Sequence, residues 1–323
     1  MKLPPALAFC CLGLAGAACW LSAAPPALTG LIRQAQGDVL LTAAADAGTY
    51  YRIDTSADLQ SWQGFVTVRS TGAEQVLDTG SPWRGRRYYR AVPLTGTGLF
   101  TGDHLATSAG DAVMRAVGHA SVAVSWNGKV LYSDPSGVDS LFTGLPPADV
   151  VVVTHSHSDH FSSSRLTAVL GTAGVIFAPQ SVYNGMSTTL KTRTTVLANG
   201  ATATAAGMTI RAVPMYNLSN TNHPQGTGNG YVVTLGGKNL YFSGDTEDIP
   251  EMRALTNIDA AFVCMSLPSN MTVDKAADAV RAFRPGMVFP YHYSQSGTPS
   301  DTARFKTLVG TDLEIEVRQR KFY

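Results

Sequence analysis

Four side chains that bind metal ions are concentrated in one short stretch of the sequence. His155, His157, Asp159 and His160 lie within six positions, directly after an apolar run at 149–154. In an extended segment residues two apart point the same way, so His155 and His157 can converge on one cation. As the chain turns away, Asp159 and His160 can face a second cation. Three imidazoles and a carboxylate are costly to bury without a bound cation, so the spacing predicts a metal site rather than a solvated loop.

This string resembles the HxHxDH signature of the metallo-β-lactamase superfamily, and the similarity covers roughly residues 103 to 323. The resemblance implies an α/β fold, a four-layered αβ/βα sandwich with two metal ions at one edge. Carried onto this chain, it assigns His155 and His157 to the first metal. It assigns Asp159 and His160 to the second.

Four further residues match positions of the same superfamily. Asp245, after a predicted strand, matches the aspartate that bridges both metals, and His292 matches the remaining ligand of the second metal. Asp134 matches an aspartate that supports the ligands from behind. The turn at 118–121 resembles one found in the branch of ascorbate-phosphate lactonases and N-acyl phosphatidylethanolamine phospholipases. It suggests that His119 supports the site without binding metal.

The third histidine of the first metal is where the sequence departs from the family. Asn217 occupies the matching position, and its amide oxygen can bind a hard cation only weakly. His223, six residues later, is a better donor and could complete the first site, or it could simply cap a turn before Pro224. The sequence leaves both readings open.

The ligand set contains nitrogen and oxygen donors only, which suits two Zn²⁺ ions and also tolerates Mn²⁺ or iron. Two such ions would lower the pKa of a shared water from about 15.7 toward roughly 7, giving a hydroxide nucleophile. Asp159 and Asp245 are therefore the predicted catalytic carboxylates. Tyr183, Tyr216 and Tyr293 are candidate substrate-binding groups.

The predicted activity is hydrolysis of an ester, lactone or phosphodiester bond in a small-molecule substrate. One alternative is a non-catalytic metal-binding adaptor, which the departure at Asn217 keeps open. A second alternative is β-lactam hydrolysis. Nucleic-acid processing is disfavoured, because 24 Lys and Arg against 23 Asp and Glu give a net charge of only +1 and no broad basic field.

The elements that position these residues follow from turn signals and hydrophobic periodicity. Strands are predicted at 121–126 and 129–132, joined through the hairpin turn Asn127-Gly128. A helix is predicted over 274–284, because apolar residues recur there at helical spacing and Pro285 ends it.

An accessory domain is predicted before the metal-binding part. Residues 30–94 show short alternating segments between turns and resemble the fibronectin-like β-sandwich modules of exported bacterial proteins. The glycine- and threonine-rich stretch 95–102 reads as a linker, and 103–323 as the catalytic domain. The module could dock the protein to a surface or polymer.

The first 24 residues are predicted to be an export signal. Lys2 precedes an apolar stretch at 6–21, and small residues suited to cleavage follow. This predicts a periplasmic or extracellular protein. A lipoprotein attached through Cys19 is disfavoured, because the aliphatic residue expected three positions earlier is missing.

Overall fold

A computed structural model describes residues 25–34, 37–80, 85–96, 99–295 and 297–323. The predicted export signal lies outside these residues. In the described part of the chain, no helix has the length and apolar character needed to cross a membrane.

The elements are named here in chain order. The strands are β1 (Ala27–Arg33), β2 (Val39–Ala44), β3 (Tyr50–Ser56), β4 (Gln63–Arg69), β5 (Ala73–Asp78), β6 (Tyr88–Leu94), β7 (Gly102–Thr107), β8 (Gly110–Gly118), β9 (Ser121–Trp126), β10 (Lys129–Ser133), β11 (Ala148–Val152), β12 (Leu170–Ala178), β13 (Thr194–Val196), β14 (Thr202–Ala205), β15 (Met208–Met215), β16 (Gly228–Leu235), β17 (Lys238–Phe242), β18 (Ala260–Cys264), β19 (Met287–Tyr291), β20 (Ser294–Gln295), β21 (Thr298–Pro299) and β22 (Glu316–Val317). The helices are α1 (Ser163–Val169), α2 (Gln180–Gly185), α3 (Thr188–Lys191), α4 (Pro250–Arg253), α5 (Val273–Phe283) and α6 (Thr302–Val309), with a 3₁₀ turn at Asp139–Phe142.

Two large sheets form the centre of the molecule. One has ten strands in the order β13-β12-β11-β10-β9-β8-β7-β4-β3-β6, and the other has seven in the order β14-β15-β16-β17-β18-β19-β22. A three-stranded sheet, β1-β2-β5, and the small hairpin β20-β21 complete the structure.

The strand β11 shows how the layers stack. Val150 and Val152 belong to the core between the two large sheets, whereas Val151 and Val153 pack with residues of α1, α2 and α3. This alternation follows from the period of two in a strand, and it explains why the whole run is apolar. Residues of α5 and α6 belong to the core that includes the seven-stranded sheet. The predicted four-layered αβ/βα sandwich is confirmed.

Local signals place the predicted turn and helix. Asn127 and Gly128 have φ values of 49° and 69°, the left-handed conformation that a tight hairpin between β9 and β10 requires. The side chain of Thr272 accepts a hydrogen bond from the backbone N–H of Lys275 and caps α5. The helix ends at Phe283, and the residue that caps it, Arg284, has the left-handed conformation directly before Pro285.

The N-terminal residues form an all-β region, as predicted. Strands β1, β2 and β5 pack against β3, β4 and β6 around a small core of their own. However, β4 also pairs with β7 through Val66↔Asp103 and Thr67↔Gly102, so β3, β4 and β6 extend the ten-stranded sheet. The accessory region is thus joined to the following region by backbone hydrogen bonds as well as by the chain. The proposed linker boundaries at 95–102 stay a prediction.

A buried histidine ties the two regions together. The Nε2 of His104, on β7, lies 2.7 Å from the Oγ1 of Thr67. Its Nδ1 lies 2.8 Å from the Oδ2 of Asp111. Gly64 leaves room for this pair, because a Cβ there would lie 2.6 Å from both His104 Nδ1 and Asp111 Oδ2. The junction therefore depends on a glycine at this position.

Gly64→Ala is expected to destabilise the protein by about 1–3 kcal/mol, because the added methyl group overpacks the His104 site. Urea unfolding measures this change. Gly85→Ala is the matched control, since a Cβ at that position meets nothing within 4 Å. Equal stability of the two variants would show that the junction is not tightly packed.

Candidate metal centre

The predicted ligands meet at one edge of the two sheets because of strand direction. Strands β10 and β11 are parallel, and so are β17, β18 and β19. Parallel strands bring their carboxyl ends to the same edge, and the segments that follow these ends carry the polar residues. Six of the seven histidines in the chain lie there: His119, His155, His157, His160, His223 and His292.

Three histidines form what we call the first site. The Nε2 of His155 lies 3.1 Å from the Nδ1 of His157. The Nε2 of His223 lies 3.2 Å from the same Nδ1 of His157. His155 and His223 are buried, whereas His157 is exposed. The first site is thus open on the side of His157.

The structure places His223, and not Asn217, among these nitrogens. The side-chain N–H groups of Asn217 donate to the Oδ1 of Asn220 at 2.8 Å and to the carbonyl of Ser269 at 2.7 Å. The backbone N–H of Asn217 donates to the carbonyl of His223, which closes the loop between them. Asn217 therefore holds the loop that presents His223.

The second site combines Asp159, His160 and His292. The Nε2 of His292 lies 3.5 Å from the Oδ2 of Asp159, and the Nε2 of His160 lies 3.9 Å from it. Both histidines are buried, whereas the Asp159 side chain is 45% exposed. The second site, like the first, has one ligand that faces outward.

Asp245 lies between the two sites. Its Oδ1 is 3.3 Å from the Nε2 of His160 and 3.3 Å from the Nε2 of His292. Its Oδ2 is 3.4 Å from the Nε2 of His223 in the first site. One carboxylate oxygen thus faces each site, as a bridging ligand requires.

The donor atoms fit divalent metal ions. Among the described residues, His160 Nε2, His292 Nε2 and Asp245 Oδ1 are buried without any hydrogen-bond partner, although they converge on one point. Such orphaned atoms are costly unless a cation satisfies them. The N–N edge of a tetrahedral zinc site is about 3.3 Å, given Zn–N bonds of about 2.0–2.1 Å. The separations in the first site are close to this edge.

Electrostatics differ between the two sites. Burial lowers the pKa of His155 well below 6.5 and also lowers the pKa of His223, which favours the neutral ligand form. Burial opposes protonation of His160 and His292 too, but the nearby Asp245 outweighs it. The pKa of His160 is raised well above 6.5, and that of His292 is raised to about 9. A metal ion in the second site would replace this positive charge.

Polar residues behind the ligands fix their orientation. The Oδ2 of Asp134 accepts from the Nδ1 of His160 at 2.8 Å, which aims Nε2 at the second site. The same carboxylate accepts from the backbone and hydroxyl of Thr154 at 2.7 and 2.6 Å. The Oγ of Ser266, which follows β18, lies 3.0 Å from the Nδ1 of His292. Asp134 therefore orients the ring of His160 from behind, the position that the family resemblance gives it.

His119 lies beside the second site with both ring nitrogens engaged. Its Nε2 is 2.9 Å from the Oδ2 of Asp159, and its Nδ1 is 2.8 Å from the hydroxyl of Tyr323. Its ring centroid is 4.0 Å from that of His292. The geometry suits a residue that holds Asp159 in place.

The three tyrosines predicted to bind substrate make other contacts. The hydroxyl of Tyr216 donates to Glu251 at 3.0 Å, and that of Tyr293 donates to the carbonyl of Arg320 at 3.3 Å. The ring of Tyr183 lies under the ammonium group of Lys191. None of the hydrogen bonds found for these tyrosines in the described part of the chain reaches a ligand of either site.

Sequence reasoning missed two residues that the structure places at the site. Ser266 could have been found, because it follows a buried parallel strand as Asp245 and His292 do. Tyr323 gives no local signal, since its partner His119 is 204 positions away. A cavity of about 660 Å³ lies elsewhere, between β4, β5, β8 and residues 319–321.

Comparison with known proteins agrees with this geometry. Residues 114–292 match the beta-lactamase superfamily domain, which covers more than half of the chain. The chain therefore belongs to this superfamily, and the sequence-based resemblance is confirmed.

Particular relatives are described as metal-dependent hydrolases. A protein of that description from Parabacteroides distasonis, known from a crystal structure, is 34% identical, with a TM-score of 0.62 over 70% of this chain and 100% of that chain. A UPF0173 metal-dependent hydrolase of Pyrococcus abyssi is 28% identical over 63% of this chain and 95% of its own length. Igni18, a metallo hydrolase of Ignicoccus hospitalis, is 24% identical, with a TM-score of 0.55 over 64% of this chain and 94% of its own. This similarity shows a shared fold.

Proposed function

We propose that this protein is a hydrolase that uses two divalent metal ions to cleave an ester, lactone or phosphodiester bond in a small molecule. The observation that carries the proposal is the position of Asp245. Its Oδ1 lies 3.3 Å from two ligands of the second site, and its Oδ2 lies 3.4 Å from His223 of the first. The descriptions of the relatives as metal-dependent hydrolases support the same class of activity.

Each residue has a role in this proposal. His155, His157 and His223 would hold the first ion, His160, His292 and Asp159 would hold the second, and Asp245 would be shared between them. When bound, the ions supply a water of lowered pKa and polarise the bond to be cleaved. Zinc is the proposed occupant, with manganese or iron as alternatives.

The exposed ligands indicate where substrate approaches. His157 and Asp159 face outward while the other ligands are buried, so substrate reaches the site from their side. The Oδ2 of Asp159 is engaged by His119, which leaves Oδ1 to take a proton from the attacking water and pass it to the leaving group.

The position of His223 beside His157 supports the hydrolase over the non-catalytic adaptor. A substrate panel separates the remaining possibilities. Metal-free protein is titrated with zinc, and turnover of chromogenic esters, lactones, phosphodiesters and β-lactams is measured at each metal content. We expect turnover of one of the first three classes to rise with the second equivalent of metal.

The variants are His157→Ala, which removes a ligand, and the control Tyr50→Phe, which removes a hydroxyl from β3. Turnover should be lost in the first and retained in the second. A wild-type protein that holds one metal tightly and turns over no substrate would contradict the proposal. Turnover of β-lactams alone would replace the proposed substrate class.

We also propose that the protein is exported, given the apolar stretch at 6–21. The all-β region, which pairs with the following region through β4 and β7, is the proposed docking surface for a polymer or a cell surface.

A further inference from the structure

The last residues of the described chain reach back to the metal centre. The carbonyl of Phe322 accepts from the backbone N–H of His119 at 2.8 Å, and the carbonyl of His119 accepts from the N–H of His292 at 3.1 Å. Phe322 itself is buried at 3% exposure. His119 has φ 52°, an unfavourable conformation for a residue with a side chain. Backbone bonds on both sides thus hold His119 in this conformation.

The hydroxyl of Tyr323 extends this contact to the His119 ring. It lies 2.8 Å from the Nδ1 of His119, 2.9 Å from the carbonyl of Ser294 and 3.2 Å from the N–H of Ser294. The ring of Tyr323 packs on Tyr293 with centroids 5.0 Å apart. The hydroxyl is therefore fixed by three polar groups and one aromatic neighbour.

The hydrogen bonds are consistent with either charge state of His119. The carboxylate of Asp159 only accepts, so the Nε2 of His119 carries a hydrogen. In a neutral ring, Nδ1 accepts from the Tyr323 hydroxyl, which in turn accepts from the N–H of Ser294. In a charged ring, Nδ1 donates to Tyr323, which then donates to the Ser294 carbonyl. Tyr323 keeps Nε2–H directed at Asp159 in both cases.

Asp159 needs such a restraint more than the other two ligands of the second site do, because they are buried. Its side chain is 45% exposed, and the Nε2 of His119 at 2.9 Å is closer to its Oδ2 than His292 at 3.5 Å or His160 at 3.9 Å. A solvated carboxylate can adopt several rotamers, only some of which face the second site.

We propose that Tyr323 is a positioning residue: through His119 it fixes Asp159 so that Oδ2 faces the second metal site. This inference rests on the proposed two-metal function. Tyr323 lies outside the superfamily match, which ends at residue 292. The proposal gives this residue a part in the affinity for the second ion.

The test is Tyr323→Phe, which removes the hydroxyl and keeps the ring. Zinc binding is measured by competition with a chromogenic chelator. Losing a group bonded directly to a metal ligand typically costs about 10–100-fold in affinity. Tyr323 acts one residue further out, through His119, so we expect affinity for the second equivalent to fall by several-fold to about 10-fold. The first equivalent and the midpoint of thermal unfolding should stay unchanged. Tyr50→Phe in β3 is the matched control and should bind both ions as the wild type does.

A double-mutant cycle tests whether Tyr323 acts through His119. His119→Ala should weaken the second equivalent, and adding Tyr323→Phe to it should weaken it no further. Additive losses, unchanged affinity in Tyr323→Phe, or a lowered unfolding midpoint with both ions weakened would each overturn the inference.

The failure of this inference can be told apart from failure of the proposed function. A wild type that binds two ions but hydrolyses nothing contradicts the function alone, because the affinity measurement still stands. A wild type that binds a single ion contradicts both.

Discussion

Asp245→Asn is expected to reduce kcat/KM by about 10²–10³-fold, the range seen when one preorganised group that stabilises charge at a reacting centre is removed. The reason lies in the contacts of the two oxygens, each of which faces a different site. Asparagine offers one oxygen and no negative charge, so it can serve only one of the two ions. Metal analysis should therefore show one retained equivalent of zinc and loss of the other.

The control for this prediction is Asp259→Asn. Asp259 is bonded to Lys238 and to the backbone N–H of Asn239 at the other end of β17. An amide can keep the second of these bonds, so this variant should retain both metal ions and full turnover. An Asp245→Asn protein with two tightly held ions and wild-type kcat/KM would refute the bridging role.

Much of the fold could be predicted because its signals are local. The hairpin at Asn127-Gly128 and the helix that stops before Pro285 each depend on a few adjacent residues, and the structure has both. The order of the strands in the two large sheets has no such local signal. It depends on which strands pair over long distances, which periodicity does not show. The family resemblance predicted the four layers but not the order of the strands.

The junction of the accessory region shows the limit of local signals. Glycine and threonine at 95–102 predict an irregular segment, but they say nothing about whether the flanking strands pair. The pairing of Val66 with Asp103 depends on a register between strands separated by more than thirty residues. Packing of His104 over Gly64 contributes to that register. Neither residue gives a sequence signal by itself.

The candidate metal ligands also include some that local spacing predicts and one that it does not. Four potential ligands within six positions could be recognised from spacing alone. The choice between Asn217 and His223 could not, because it depends on how the intervening loop closes. That loop is set by the hydrogen bond from Asn217 N to His223 O and by the bond from Asn217 to Ser269. These contacts exist only in the folded chain.

A buried ion-pair network anchors the segment that carries Tyr323, and breaking it should have a large effect on stability. The carboxylate of Asp103 on β7 accepts from Arg318 at 3.0 Å and from Arg320 at 2.8 and 2.5 Å. The side chains of Asp103 and Arg318 are 4% and 5% exposed. Burial raises the pKa of Asp103, but the two arginines outweigh it and hold that pKa below 3.8.

Asp103→Ala is expected to lower the free energy of unfolding by about 3–5 kcal/mol, because it removes the carboxylate that Arg318 and Arg320 share and leaves the buried Arg318 with Glu316 alone. Urea unfolding followed by tryptophan fluorescence measures the change. The control is Asp312→Ala, which breaks the exposed pair with Arg281 and should change stability little. A loss for Asp103→Ala no larger than that of the control would show that the network does not anchor the segment.

The pH dependence of Asp103→Ala provides a second check with a defined sign. A carboxylate whose pKa is lowered on folding contributes its full stabilisation above the unfolded pKa of about 3.9, and loses it as pH falls through the folded pKa. The stability difference between wild type and Asp103→Ala should therefore be constant near neutral pH and narrow in acid. A difference that widens as the pH falls below about 4 would contradict an ionised Asp103 between two arginines.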